Sequence, residues 1–341
     1  MRIQLIIVLS IFLLFSCKDP EKKEDPVKVG ATSVLVLNEG NMGYGNASID
    51  LYNPSTSEVG SGVFAKNNGR PLGDVLQSAV IVSGKIYLLV NNSSKIEVVN
   101  ALDFKQLGSI QNLPSPRYML PLENGKAYVS DFTANQIHII DLHSLSKKGS
   151  ISASGWIEKM AYSSGKVFAC NAISDEVWVI DAEKDSIINK IAVGVEPLEA
   201  VTDKNGAVWV LCTGGFEEEN AQLLKIDPAS ELIAQTLTFP SLKSYPQRLT
   251  IDESGESIYY LDENLYRFSI HEQILPQEPL IRADGRLLYG LGVDAKHKQI
   301  YLTDAIDYLQ RGDVFQYDLN GNLLHRFKAG IIPSDFVFPA E

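Results

Sequence analysis

The sequence predicts an all-β fold, a seven-bladed β-propeller of four-stranded antiparallel blades in which the C-terminal strand closes the ring. The first observation is an internal repeat: an aromatic residue recurs at spacings of 41, 40, 41, 50 and 42 residues. The residues concerned are Tyr87, Tyr128, Phe168, Trp209, Tyr259 and Tyr301. The second observation is an alternation of apolar and polar residues in short runs, with no long helical period. A repeat of this length made of short strands is typical of propeller blades.

Each copy divides into four strands, here called a to d from the centre outwards. A turn of Ser-Gly or Asn-Gly comes before the aromatic residue in five copies, as at Asn124-Gly125. Such residues accept the positive φ of a tight hairpin, so the aromatic residue lies on strand b. A short polar residue then ends strand c, namely Asn53, Asn100, Asp141, Asp181, Asp227, Ser269 and Asp318.

The two ends of the chain are expected to share a blade. The first copy begins at Ser33 without a strand a, and the last apolar run, 333–338, is followed by no further copy. Residues 334–338 therefore supply strand a of the first blade, which closes the ring and removes both sheet edges. The prediction is one domain over residues 31–341. The repeated aromatic residues pack between blades, because a single four-stranded blade cannot bury its own faces.

The front of the chain is predicted to lie outside this domain. Residues 1–16 combine Arg2 with an apolar run that is too short to cross a bilayer, which indicates a secretory signal. Leu14 to Cys17 resembles a bacterial lipobox, which implies lipidation of Cys17 and attachment to a membrane through the lipid alone. An ordinary signal that leaves Cys17 free is the alternative. Residues 17–30 form a charged tether, whose start resembles the signal that sends some lipoproteins to the outer surface of the outer membrane.

Composition narrows the classes of partner and site. The net charge is −12, and it becomes −13 when residues 1–16, with Arg2 as their one charge, are removed. This balance and the absence of a basic run argue against nucleic acid as a partner. Two cysteines remain after Cys17, and Cys170 and Cys212 are expected to be buried thiols, although a disulfide stays open.

The repeat resembles the YVTN-type propeller family. The stretches that carry the resemblance are YVSD (128–131), FACN (168–171), YYLD (259–262) and YLTD (301–304). The polar residue that ends strand b is expected to cap loop N–H groups rather than to bind a ligand. In five copies this residue is, in order, Asn38, Asp131, Asn171, Asp262 and Asp304.

A ligand site is expected on the face that carries the b–c loops and the joints from strand d to the next strand a, here called the loop face, because the repeats differ most there. The starts of the innermost strands place Gln77, Tyr118, Glu158, Glu199, Arg248, Gly290 and Asp335 near the central opening. The aromatic residues expected on this face are Tyr44, Tyr118, Phe132, Trp156, Phe216, Tyr245, Tyr289 and Tyr308. Aromatic walls with a few polar groups suit a flat, partly apolar molecule.

Catalytic and metal-binding patterns are scarce. None of the five histidines (His138, His143, His271, His297 and His325) is expected on the loop face, so neither a metal nor a cofactor is predicted. The leading interpretation is a non-catalytic, ligand-binding surface lipoprotein. A lactonase or lyase that uses Glu158, Glu199 and Arg248 is the alternative, and a protein-interaction platform is a third.

The first copy carries a further resemblance. Residues 37–54, LNEGNMGYGNASIDLYNP, are similar to the opening of a group of surface lipoprotein propellers. Some of these capture corrinoids of the vitamin B12 type for a TonB-dependent transporter in the outer membrane. The resemblance therefore implies a corrinoid as ligand and such a transporter as partner.

Overall fold

The structure is a computed structural model that describes Gly30 and residues 33–339, which form seven antiparallel sheets arranged as a β-propeller. The signal segment 1–16, Cys17 and the tether up to residue 29 lie outside the described residues. The innermost strands of successive blades contact one another all the way around the ring, which places them along a central channel.

The strands follow the predicted order within each blade. Blades 1 and 2 contain β1 (Val34–Asn38), β2 (Ser48–Asn53), β3 (Glu58–Gly60), β4 (Leu76–Val82), β5 (Lys85–Val90), β6 (Lys95–Asn100) and β7 (Gln106–Gln111). Blades 3 and 4 contain β8 (Pro116–Pro121), β9 (Lys126–Asp131), β10 (Gln136–Asp141), β11 (Ser146–Ser152), β12 (Ile157–Ser163), β13 (Lys166–Asn171), β14 (Glu176–Asp181) and β15 (Ser186–Ala192).

The remaining strands complete the ring. Blades 5 and 6 contain β16 (Pro197–Thr202), β17 (Val208–Cys212), β18 (Gln222–Asp227), β19 (Leu232–Thr238), β20 (Gln247–Ile251), β21 (Ser257–Asp262) and β22 (Asn264–Ser269). Blade 7 contains β23 (Leu288–Asp294), β24 (Gln299–Asp304), β25 (Arg311–Asp318) and β26 (Leu323–Ile331), and β27 (Pro333–Val337) returns to blade 1. One short helix, α1 (Val63–Asn68), follows β3, and Asn91–Ser93 and Glu123–Gly125 form single 3₁₀ turns.

The predicted closure of the ring is confirmed. β27 pairs antiparallel with β1, with Leu35 opposite Val337 and Leu37 opposite Asp335, so the sheet order of blade 1 is β27-β1-β2-β3. The end of the chain thus supplies the innermost strand of the blade that the start of the chain begins.

Blade 6 corrects the expectation of four strands in every copy. Its sheet contains β20, β21 and β22, and an isolated bridge between Leu265 and Ile281 stands where strand d would pair. Pro276 and Pro279 lie in the segment that should form this strand. Because proline has no N–H to donate to a neighbouring strand, the segment cannot pair regularly.

The repeated aromatic residues form the core between blades, as predicted, and each is at most 1% exposed. Tyr128 on β9, for example, packs with Ile157 and Val167 of the next blade. Cys170 and Cys212 are free, buried thiols that lie in one apolar cluster between blades 4 and 5.

The polar residues that end strand b hold loops, as expected from their recurrence. Asp131 accepts hydrogen bonds from the backbone N–H groups of Ser115 (2.9 Å), Thr133 (2.9 Å) and Ala134 (2.8 Å). Its carboxylate also lies 3.0 Å from Nε2 of His138, which is fully buried. Asn38, Asp262 and Asp304 also accept from backbone N–H groups, those of Gly330 in β26, Tyr245 and Leu287. Asn171 differs, because its side-chain amide donates to the carbonyl oxygen of Ser154.

Every innermost strand contains a β-bulge near the loop face, where its register against strand b slips. In blade 3, for example, Pro116 pairs with Asp131 but Met119 pairs with Val129, so Arg117 and Tyr118 stand opposite a single residue. A bulge breaks the alternation of side chains between the two faces of a strand. It can therefore turn two neighbouring side chains towards the same region of the channel.

Candidate functional site

The central channel opens on the loop face into a cavity of about 370 Å³, here called the mouth cavity. Its polar and aromatic lining comes mostly from the bulged starts of the innermost strands. The residues that line it are Glu39, Gly40, Met42, Val75, Gln77, Asn91, Arg117, Tyr118, Trp156, Glu158, Leu198, Glu199, Gln247, Arg248, Tyr289 and Ile332.

Arg117 organises one side of the mouth cavity. Its Nε donates to Oε1 of Glu158 over 2.7 Å, and its NH1 group donates to Oε1 of Gln77. The indole N–H of Trp156 donates to the same Glu158 oxygen. Burial raises the pKa of Glu158, and the guanidinium of Arg117 opposes that rise. Three blades are thus tied together by one guanidinium.

Arg248 organises the other side. Its backbone N–H donates to Glu199 Oε1 (3.1 Å), and its Nε donates to the carbonyl oxygen of Tyr289 (2.8 Å). The guanidinium stacks over the Tyr289 ring at 4.6 Å and lies 3.7 Å from a carboxylate oxygen of Glu39. Arg248 has φ of 59°, a left-handed conformation that is uncommon for a residue other than glycine. The bulge thus holds this side chain at the cavity wall in a conformation that costs free energy.

Glu39 completes this side from the first b–c loop. Both of its carboxylate oxygens accept from the phenol O–H of Tyr289, each at 3.2 Å. Burial raises the pKa of Glu39, whereas Arg248 and Tyr289 lower it in part. The loop around it is held by its own polar residues: the Asn41 backbone N–H donates to Asn46 Oδ1 over 2.8 Å, and the Asn41 side-chain amide donates to the carbonyl oxygen of Tyr308.

A second cavity of about 220 Å³ lies farther along the innermost strands, away from the loop face, and is here called the lower cavity. Tyr118 lines both cavities and so lies between them. The ammonium of Lys159 is 2.5 Å from Glu199 Oε2 and 5.4 Å from the Tyr118 ring centre. Asp335 lines this lower cavity, where burial raises its pKa and Lys159 opposes the rise. Burial, with Glu158 adding, raises the pKa of Tyr118 to about 12.

Three pairs of aromatic rings stand on the loop face. Phe132 meets Trp156 edge to face with ring centres 5.0 Å apart, and Tyr289 meets Tyr308 in the same way at 5.4 Å. Phe216 stacks on Tyr245 at 4.9 Å. Two of these pairs join the b–c loop of one blade to the joint before the next blade. The pairing fixes each ring and leaves part of its surface in solvent, since Phe216 is 82% exposed and Phe132 is 45% exposed.

The structure brings together about half of the side chains that the sequence placed at the site. Gln77, Tyr118, Trp156, Glu158, Glu199, Arg248 and Tyr289 line the mouth cavity. Phe132 and Tyr308 lie beside it through their ring contacts with Trp156 and Tyr289. The Phe216–Tyr245 pair does not line it, and Tyr245 lines another cavity, over blade 6. Tyr44 is 78% exposed on its loop, and Asp335 lines the lower cavity instead.

Three charged residues of the channel were missed by the sequence reasoning, namely Glu39, Arg117 and Lys159. Strict alternation of side chains gives one channel residue from each strand, whereas the bulges bring in a neighbouring residue as well. The signal that would have revealed the bulge is a pair of successive polar or aromatic residues near the start of strand a, as in Arg117-Tyr118 and Glu158-Lys159. Glu39 comes from a loop, and only its place directly after Asn38 hints at the channel.

The channel carries three cations and four carboxylates, and most of these charges are matched. Arg117, Lys159 and Arg248 have raised pKa values, because attraction to the carboxylates and to neighbouring phenols outweighs the lowering by burial. A site of this kind offers both donors and acceptors in fixed positions. It is suited to hold a polar group of a ligand in a set orientation.

Within Gly30 and residues 33–339, no cluster of His, Cys, Asp and Glu is placed to hold a metal ion. The same part of the chain has no helix long and apolar enough to cross a membrane.

One family model matches residues 32–340, which is nearly the whole chain. The chain belongs to the DUF5074 family. This family is described as a domain of unknown function, and no curated protein matches this DUF5074 chain in sequence.

Solved structures similar to this DUF5074 propeller include a quinonprotein alcohol dehydrogenase-like protein from Bacteroides thetaiotaomicron, with a TM-score of 0.72 and 18% identity over 92% of this chain and 79% of that one. A periplasmic gluconolactonase from Pseudomonas aeruginosa has a TM-score of 0.69 and 13% identity over 90% of this chain and 99% of that one. A putative 6-phosphogluconolactonase from Bacteroides uniformis has a TM-score of 0.67 and 11% identity, with coverage of 90% and 99%. At these identities the similarity shows a shared fold.

Proposed function

We propose that this protein is a non-catalytic binding protein that captures a small molecule on its loop face. The observation that carries the proposal is the mouth cavity together with the three pairs of aromatic rings on the loop face. Fixed rings offer flat apolar surface at little further entropic cost, and the groups of the cavity fix the orientation of a polar substituent.

The state of the carboxylates supports binding over acid–base catalysis. Glu158 is paired with Arg117 and Trp156, and Glu199 is paired with Lys159 and the Arg248 backbone. A general base needs to reach a proton of the substrate, and these carboxylates already accept from protein donors. In this proposal Glu158 orients Arg117, and Glu199 holds Lys159 and the Arg248 backbone, so that the two guanidinium groups can donate to a ligand.

The first ligand to test is a corrinoid, on the basis of the resemblance in residues 37–54. In the structure most of this segment holds its own loop, and Glu39 is the member whose charge lies in the mouth cavity. A corrinoid is too large to enter a cavity of about 370 Å³, so its corrin ring would lie across the mouth against the aromatic pairs. Its peripheral amides would then reach the donors and acceptors of the cavity.

This function would fit a protein that is lipidated at Cys17, faces the exterior of the outer membrane and hands its ligand to a TonB-dependent transporter. The anchor and the location rest on the sequence of residues 1–30, and the transporter rests on the resemblance in residues 37–54. Labelling with radioactive palmitate, with Cys17→Ser as the control, tests the anchor. Co-purification of a transporter from outer membranes tests the partner.

The ligand is tested by calorimetric titration of residues 31–341 with cyanocobalamin. We expect a tight complex, and Trp156→Ala should weaken it by about 10-fold or more, which corresponds to about 1.4 kcal/mol for the lost ring contact. Ile173→Ala is the matched control, because Ile173 is 70% exposed in the b–c connection of blade 4 and does not line the mouth cavity. No heat with the unaltered protein would exclude the corrinoid.

A lactonase is the second candidate, favoured by the location of Glu158, Glu199 and Arg248 in one cavity and by the fold shared with a gluconolactonase. Hydrolysis of gluconolactone followed in a pH-stat tests it. Turnover by the unaltered protein that is lost in both Glu199→Gln and Arg248→Ala would replace the binding proposal with an enzymatic one. Absence of turnover removes the lactonase.

A further inference from the structure

Blade 6 has a much shorter b–c connection than the blades on either side of it. Glu263, with φ of 58°, is the one residue between β21 and β22. The corresponding connection has nine residues, 213–221, in blade 5 and six residues, 305–310, in blade 7. The loop face is therefore low over blade 6 and bounded by a longer loop on each side.

The low region is a groove with a cavity of about 480 Å³. Tyr245, Asp262, Asn264, Tyr266 and Leu287 are among the residues that line it. Gln247 lines both this groove and the mouth cavity. The groove thus begins at the mouth and runs outwards over blade 6.

The two sides of the groove carry exposed apolar side chains. Phe216, stacked on Tyr245, and Leu242 precede blade 6 and are 82% and 48% exposed. Leu287 follows blade 6, lines the groove and is 39% exposed. Exposed apolar groups that gather beside one concave site mark a place where a ligand covers them.

The floor is polar and its charges balance. Asp262 and Glu263 contribute two carboxylates, and Lys243 and Arg286 contribute two cations. The guanidinium of Arg286 is used within the protein, since it donates to Ala283 O, Tyr317 Oη and Arg282 O. A groove of zero formal charge with carboxylate and amide groups on its floor favours neutral hydrogen-bonding substituents over anions.

We infer that the groove over blade 6 is a second binding subsite, continuous with the mouth cavity, for a flat apolar group that carries neutral amide or hydroxyl substituents. The inference rests on the proposed function in one respect, that the same ligand occupies both compartments. The ligand class is then an elongated or two-part molecule, with one part across the mouth and the other over blade 6.

Benzamide is the probe for the groove, because it joins one flat ring to one neutral amide. Crystals soaked in benzamide should show it against the Phe216–Tyr245 pair. Ligand-observed NMR should show at least a 5-fold loss of affinity in Phe216→Ala and in a variant whose Glu263 is replaced by the four-residue connection of blade 4, 172–175. Ile173→Ala should bind benzamide as the unaltered protein does.

Phe216→Ala keeps the test decisive if the loop replacement fails to fold, because the Phe216 ring is mostly in solvent. Benzamide found only in the mouth cavity, or equal affinity in all variants, would overturn the subsite. The outcome is separate from that for cyanocobalamin: a corrinoid that fails to bind leaves the benzamide result standing, and a groove without benzamide leaves the corrinoid result standing.

Discussion

Asp131 shows at the scale of one residue how a repeated motif can serve the scaffold. Its carboxylate is fully buried, accepts three backbone N–H groups and contacts His138. Burial raises the pKa of Asp131, but these hydrogen bonds outweigh it and hold the pKa below its ordinary value of 3.8. Charged Asp131 is therefore part of what keeps the b–c loop of blade 3 in place.

Asp131→Asn should lower the stability of the fold in a way that depends on pH. Because the folded-state pKa is lowered, the carboxylate stabilises the fold fully above its ordinary pKa of 3.8, and this contribution is lost as the pH falls through the folded-state pKa. At pH 7 the variant should lose about 2 kcal/mol in the free energy of unfolding. Urea denaturation should show that this difference in the free energy of unfolding between the variant and the unaltered protein disappears below about pH 4. A difference in the free energy of unfolding that does not change with pH would contradict the stabilising role of the charged Asp131 carboxylate.

Arg117 acts at the same scale within the mouth cavity, where it connects Gln77 and Glu158. Removing it leaves a buried carboxylate without its cation, so Arg117→Ala should reduce the free energy of unfolding by about 3 kcal/mol. Adding Glu158→Gln to this variant should restore part of the loss. Arg282→Ala is the control, because the Arg282–Glu278 pair is exposed and should contribute less than about 1 kcal/mol. Equal losses in both arginine variants would refute the argument.

At the scale of the strand, the sequence was sufficient for most of the fold. Period-2 runs, turn residues and the recurring aromatic residue predicted the strands and the closing role of β27, because each is a local consequence of blade packing. The missing fourth strand of blade 6 was not predicted, although Pro276 and Pro279 signal it. There the repeat was extended over a segment whose own residues oppose a strand.

The bulges explain why the site was predicted less completely than the fold. A strict alternation assigns one residue of each strand to the channel, and the bulge in blade 4 adds Lys159 beside Glu158. Loop residues such as Glu39 reach the channel through the tertiary fold, which period and propensity do not encode. The sequence pointed to each aromatic residue separately, whereas the pairing of the rings depends on how adjacent blades pack.

Glycines allow the closing strand to approach blade 7. A Cβ atom on Gly292 would lie 2.7 Å from Cβ of Phe336, and one on Gly312 would lie 2.5 Å from Cδ of Pro333. Gly292→Ala should therefore cost about 2 kcal/mol through overpacking, measured by urea denaturation. Gly149→Ala is the control in another strand, because its Cβ would meet the nearest atom, Ile139 Cδ1, at 3.6 Å, an ordinary contact. Unchanged stability of Gly292→Ala would mean that β23 and β27 can move apart without loss of free energy.

At the scale of the whole molecule, stability depends on a closed ring. Removing residues 333–341 deletes β27, uncovers the inner edge of β1 and removes the buried Phe336 and Val337. We expect a loss on the order of 5 kcal/mol or more and association through the open edge, seen by thermal melting and size-exclusion chromatography. Deleting residues 340–341 alone should change neither. A truncated chain that elutes and melts like the full chain would show that β27 is dispensable.

The direction of β1 has a consequence for how the propeller would stand on a surface. β1 runs from Val34 to Asn38, and Asn38 directly precedes the loop that brings Glu39 to the mouth cavity. The chain therefore enters the ring from the side opposite the mouth. A propeller held at its N-terminus would therefore have the opposite side towards the surface that holds it, and its loop face would point away from that surface.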